Sequence, residues 1–202
     1  MRTVSVALVA GLVLAAGLAG SALAAKPPPR LIVPGQAIGP VRLGMTLAQV
    51  KRALGKPAAV SGKLDYALGG EYLELQWRYA TWTVGLRSTG GPLRVVRVST
   101  TVNSQRTRDG VGSGSKPSAV LKAFPRATCV FRELGNPWPG TWLVAAHPNG
   151  NMTAFSIYGR RDYGDVRPNR FVIEVVVQER WYARSPFDSD CGANWREEFR
   201  GP

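Results

Sequence analysis

From Leu43 to Pro57 the chain reads LGMTLAQVKRALGKP, with its apolar positions recurring at a helical period. Leu47, Val50 and Leu54 stand at i, i+3 and i+7, one stripe of a helix over 46–54. Thr46 and Gln49 have the spacing of a capping box: the hydroxyl accepts the amide at the third helical position, and the Gln side chain reaches back to the cap. Met45 and Val50 occupy the two positions of a hydrophobic staple. Lys51 and Arg52 lie toward the C-terminal end, where cations suit the helix dipole. Gly55 supplies the positive φ of a helix stop and Pro57 blocks continuation.

Beyond Ser61-Gly62 the pattern alternates. Leu73, Leu75, Trp77 and Tyr79 fall on one face, and Tyr72, Glu74, Gln76 and Arg78 on the other. Trp82, Val84 and Leu86 repeat the apolar side against Thr81, Thr83 and Arg87, and Gly90-Gly91-Pro92 turns the chain into a third run, Leu93 to Thr101. Period-2 runs separated by short turns indicate an antiparallel meander with one buried face. A shorter strand is expected near Leu64 to Leu68.

A shift of 70 residues sets Val41 on Val111, Gly44 on Gly114, Val50 on Val120, Ala53 on Ala123 and Leu54 on Phe124. A second helix is therefore expected over 116–124, with Ser115 or Lys116 at its cap, Pro117 in its first turn and Pro125 ending it. Strands follow near 129–133, 141–147, 151–158 and 171–180. The expected fold is α+β: two tandem repeats, each a short helix packed on an antiparallel meander of three or four strands. The first repeat is 37–104 and the second 105–182, with 159–169 as an insertion; 183–202 is a polar tail.

The N-terminal region adds a compartment. Arg2, an apolar run from Val4 to Leu18 and the small-x-small triplet Ala22-Leu23-Ala24 form a signal peptide over 1–24. Residues 25–36 (AKPPPRLIVPGQ) read as a proline-rich, extended lead that spaces the folded body from the export site. The expected product is secreted or extracytoplasmic and, with no cysteine near the cleavage position, has no lipid anchor. Two cysteines in an oxidising compartment, Cys129 and Cys191, favour one disulfide over two buried thiols.

Charge then narrows the partner. The chain carries a net +13, and residues 25–108 hold 13 Lys/Arg against 3 acids, with none from Leu75 to Arg108. A field of one sign attracts anionic partners. Tyr72, Gln76, Arg78, Thr83 and Arg87 are the candidate binding residues, on an open, basic sheet face suited to an acidic protein surface. Arginine forks on such a face also suit an anionic cell-wall polymer, with nucleic acid a poorer fit.

The segment 43–57 resembles the GMT-x-x-x-V-x-x-x-L-G-x-P signature of the SmpA/OmlA group of outer-membrane assembly lipoproteins. It is also similar to the β-lactamase-inhibitor-protein-like family, whose members repeat an α/β unit in tandem. The duplication over about 38–182 favours the latter, and the missing lipobox cysteine counts against the former. The resemblance implies an eight-stranded surface that grips another protein. It carries over Gly44, Met45, Thr46, Val50, Leu54, Gly55 and Pro57 as structural positions and no binding residue.

Signatures of catalysis are thin. His147 is the one histidine, beside Pro148 at a strand end, and no H-x-x-x-H, C-x-x-C or G-x-S-x-G pattern occurs. Gly110-Val-Gly112-Ser-Gly114-Ser-Lys116 lacks the ending of a phosphate loop, and Asp188-x-Asp190 lacks the later ligands of a calcium loop. No cofactor and no metal site is expected. The leading expectation is a non-catalytic, inhibitor-like protein-binding module; an envelope module on anionic wall polymer is second and a hydrolase third.

Overall fold

A computed structural model describes residues 30–65, 70–77, 81–88, 90–132, 140–157, 171–179, 188–191 and 195–200. Residues 1–24, expected to be a signal peptide, the start of the lead, Arg78 and residues 159–169, expected to be an insertion, lie outside the described residues.

Three two-residue strands open the fold: β1 (Ile32–Val33), β2 (Ala37–Ile38) and β3 (Val41–Arg42), paired antiparallel in that order. Residues 30–32 do not act as a spacer. Ile32 N–H donates to Arg106 O at 2.7 Å, Arg106 N–H donates to Arg30 O at 3.0 Å, and the Ile32 side chain is buried. Ile32, soon after the prolines, finds the core, which the proline content of the lead does not prevent.

Helix α1 (Leu47–Leu54) forms as its capping pattern dictates: Thr46 N–H donates to Gln49 Oε1 at 2.8 Å, and Gln49 N–H donates to Thr46 Oγ1 at 3.3 Å. Gly55 ends it with φ 82° and ψ −158°, a region essentially reserved for glycine, though not the left-handed helical one. Val50 is fully buried, and Met45, Leu47 and Leu54 pack against the same core. Strands β4 (Ala59–Asp65), β5 (Gly70–Trp77), β6 (Trp82–Ser88) and β7 (Arg94–Thr100) follow. The strand expected at 64–68 thus starts at Ala59. Among the described residues it is an edge strand with one partner, so it needs no alternating apolar face to be held.

Helix α2 (Pro117–Ala123) is shorter and starts at Lys116 without a side-chain cap. It leads into β8 (Thr128–Arg132), β9 (Gly140–Ala146), β10 (Met152–Ile157) and β11 (Val172–Gln178). A three-residue β12 (Asp188–Asp190) and helix α3 (Trp195–Arg200) complete the chain. The tail is therefore not simply polar: Phe199 is 1% exposed, and Trp195 also packs against the core. The spacing of Trp195 and Phe199, i to i+4, was the signal for this helix.

The architecture is α+β with one long antiparallel sheet, ordered β12-β8-β9-β10-β11-β7-β6-β5-β4. Its centre is the β11–β7 pairing of Val175↔Thr100, Val176↔Ser99, Val177↔Val98 and Gln178↔Arg97. One register row crosses seven strands through Trp77, Trp82, Thr100, Val175, Phe155, Leu143 and Cys129. All seven are buried, and the six apolar members belong to one core with Val50 of α1 and Val120 of α2.

Helices α1 and α2 are each reached through a positive-φ glycine clasped to the last strand of its meander. Gly44 (φ 80°) donates to Val95 O at 2.7 Å, and Val95 N–H donates to Met45 O at 2.8 Å. Gly114 (φ 84°) donates to Val172 O at 2.6 Å, and Val172 N–H donates to Ser115 O at 2.8 Å. Cys129 and Cys191 form a disulfide that fastens β8 to the residue beyond β12.

Candidate functional site

The sheet face turned away from α1 and α2 carries the residues singled out for binding. Tyr72 stands opposite Arg87 and Gln76 opposite Thr83, so these four share one face as the alternation requires. The face is not open at its most characteristic members: Tyr72 is 8% exposed and Arg87 5%, while Gln76 and Thr83 are half-buried. The Tyr72 ring lies over Gly85 of the neighbouring strand, where an added Cβ would collide with the phenol oxygen. Period-2 alternation identifies which side a residue faces; it carries no information about how much covers that side.

Nor is this face simply basic. Arg97, 2% exposed, sits in the row of Gly85 and Gln178 and meets Glu174 across a 3.5 Å ion pair. Glu74 accepts from Gln76 Nε2 at 3.2 Å. Toward β8 the same face turns apolar, with Trp142, Val144, Met152, Ala154 and Val176 forming a second buried cluster. Arg97, Glu174 and Gln178 were not anticipated as a group. The run VVRVST in β7 was the available signal, because a strand apolar on both sides is buried on both.

Exposed positive charge lies elsewhere. Lys51 and Arg52 occupy the last turn of α1, Lys56 follows its stop, and Arg94 donates from Nη1 to Gly44 O at 3.0 Å. Trp77 Nε1–H donates to Gly55 O at 3.3 Å, which sets the end of α1 and Lys56 beside β5 at the entry to β4. Lys122 in the last turn of α2 and Arg126 beyond it are likewise exposed. All six cations are exposed, and none of them is paired with a carboxylate of the described residues.

The remaining suspects are absorbed by structure. His147 Nε2 lies 2.9 Å from Thr153 Oγ1, which also accepts from Gly35 N–H at 2.8 Å. Asn149 and Asn151 donate side-chain amides to Gly35 O, so the turn after β1 is clamped on the β9–β10 hairpin. Burial lowers the His147 pKa below its usual 6.5 and favours the neutral ring in this clamp. The glycine loop 110–116 turns its donors on itself and on β11: Gly112 N–H reaches Ser115 Oγ at 3.0 Å, Ser115 N–H reaches Gly112 O at 3.0 Å, and Gly114 N–H reaches Val172 O. Arg106 Nη1 donates to Ser113 O at 2.6 Å and to Ser115 Oγ at 3.1 Å, holding the loop from within. Asp188 and Asp190 belong to β12, and among the described residues no three His, Cys, Asp or Glu side chains gather as a metal site would require.

No family model, no curated protein and no solved structure matches this chain. Its function is argued from its own residues.

Proposed function

We propose that the protein is a non-catalytic binding module of two α/β repeats, exported from the cytoplasm, that holds an acidic extracytoplasmic protein. The observation that carries this reading is the concentration of exposed positive charge around the entry to β4, where Lys51, Arg52 and Lys56 are exposed within one helical turn and the stop that follows it. Such a field speeds encounter with an anionic surface and disfavours cationic ones. The disulfide supports an oxidising compartment. No helix among the described residues is long and apolar enough to cross a membrane.

The duplication is supported by the two glycine clasps, which use residues 70 apart at Gly44 and Gly114, and by fully buried Val50 and Val120 at the same offset. It is supported further by the sheet order, in which the strands after α1 and those after α2 run outward from a shared centre at β7 and β11. A likeness to inhibitor-type tandem folds remains part of this proposal. The binding face differs from the first expectation: the cations beside β4 replace Tyr72 and Arg87 as the leading contacts.

The second reading, an anionic wall polymer, draws on the same cations and separates by salt. Immobilised protein challenged with an extracytoplasmic fraction at low and at moderate ionic strength should retain an acidic protein under both conditions. Retention of polymer alone, lost steeply as salt rises, would favour the second reading. Retention of neither would defeat both.

A further inference from the structure

We propose that the free edge of β4 receives an acidic, extended segment of the partner protein as an added antiparallel strand, as β12 is added to β8 within this chain. The inference rests on the binding-module reading above and on the correspondence of the two halves.

One edge of the sheet shows what the fold accepts. β12 pairs antiparallel with β8 through Asp188↔Arg132, Ser189↔Phe131 and Asp190↔Val130, so the strand that closes this edge carries two carboxylates in three residues. β8 is entered past two exposed cations, Lys122 and Arg126. The Cys129–Cys191 disulfide then ties the added strand down one residue beyond Asp190.

The other edge has the same approach without the occupant. A shift of 70 residues sets Lys122 on Arg52 and Arg126 on Lys56, both exposed and both leading into β4. β4 is seven residues long and, among the described residues, is hydrogen-bonded to β5 alone. Ala58 to Ser61 are exposed, Val60 at 60%. The position matching Cys129 is Ala59, so no disulfide can fasten a strand here, and the occupant must be separate and reversible. An unpaired row of backbone N–H and C=O groups is the usual template for strand addition, with main-chain hydrogen bonds giving affinity and flanking side chains giving selectivity.

Charge selects the occupant. A second copy would bring an equally basic approach, since residues 25–108 hold 13 Lys/Arg against 3 acids, and like charges disfavour edge-to-edge pairing. An acidic strand is opposite in sign to the approach of Arg52 and Lys56, as the sequence of β12, with Asp188 and Asp190, is to that of Lys122 and Arg126.

The chain's own strand supplies the probe. A synthetic peptide of residues 186–192 with Cys191→Ser is titrated into isotope-labelled protein whose disulfide is intact. Amide resonances of Ala59–Asp65 should shift and exchange more slowly. A peptide with Asp188→Asn and Asp190→Asn, or the protein variant Arg52→Glu/Lys56→Glu, should each weaken binding by about tenfold, the scale of two exposed ion pairs. Shifts confined to β8 or to the Tyr72–Arg87 face, equal binding of the neutral peptide, or no shift at about 1 mM peptide would overturn strand addition. If a retained acidic protein perturbs other residues only, strand addition falls and the binding-module reading stands. If the peptide seats on β4 while no acidic protein is ever retained, the reverse holds.

Discussion

At the scale of single residues, the two helix starts make opposite predictions. Thr46 and Gln49 satisfy each other's neighbouring amides, so Thr46→Ala should cost about 1 kcal/mol in chemical denaturation. Lys116 has the extended backbone of an N-cap, φ −70° and ψ 149°, but makes no cap bond. Lys116→Asp should therefore stabilise by about 0.5–1 kcal/mol, and an unchanged midpoint would show that the first turn of α2 is not limiting. Gly85→Ala forces the Tyr72 ring off its neighbour and should destabilise by about 1–3 kcal/mol, the usual range for overpacking. A Tyr72→Phe/Gly85→Ala double variant should recover part of that loss, because the phenol oxygen is the nearest atom to the added methyl. His147 gives a pH dependence with a definite sign. Its folded pKa lies below the unfolded value of 6.5, so the contribution of its neutral form is present above that value and is lost as pH falls toward the folded one. Melting temperature should drop on acidification from about pH 7.5 to 5.5, and His147→Gln should flatten that part of the profile. Equal slopes in the two proteins would mean that other groups carry the dependence.

At the scale of elements, the C-terminal segment depends on its fastening. β12 has three residues, and α3 six, too few to persist without tertiary support. Arg196 caps the chain after α2 by donating to Pro125 O at 3.0 Å and to Ala127 O at 2.6 Å, while Phe199 is inserted in the core. The disulfide closes a separation of 62 residues, which in the chain-entropy account stabilises by about 4 kcal/mol. Reduction, or Cys191→Ser, should lower stability on that scale and expose β12 and α3 to hydrogen exchange before the rest. Loss of protection throughout the sheet at the same rate would show that the tail is integral to the global unfolding unit. The tail was read from sequence as polar because its charged residues outnumber its apolar ones. Two aromatic residues at helical spacing were sufficient to dock it.

At the scale of the whole molecule, one sheet crosses both halves, which meet in it at the β7–β11 pairing. The row from Trp77 to Cys129 nonetheless continues through that join without a polar break except Thr100. Unfolding should therefore be a single transition. Val177→Ala should lower it as a unit, by about 1–3 kcal/mol, with circular dichroism and tryptophan fluorescence giving coincident curves. Two separated transitions would mean that the halves are independent despite the shared sheet. The helix 46–54, its capping box, the glycine approaches and the strand faces were all legible in the chain, because each is set by spacing between near neighbours. Cys129 and Cys191 could be matched for want of any other cysteine. Which strand lies beside which was not legible: β7 meets β11 through residues almost eighty positions apart, and no local pattern encodes that pairing. Burial of Tyr72 and Arg87 was hidden for the same reason. Alternation fixes the side a residue faces, whereas exposure depends on everything else that packs there. Local physics alone placed the basic approaches at Arg52 and Lys56 and at Lys122 and Arg126. Tertiary structure decided that one leads to an edge covered by β12 and the other to an edge that no described residue pairs, because a strand edge is closed only by a segment that folds back from far along the chain.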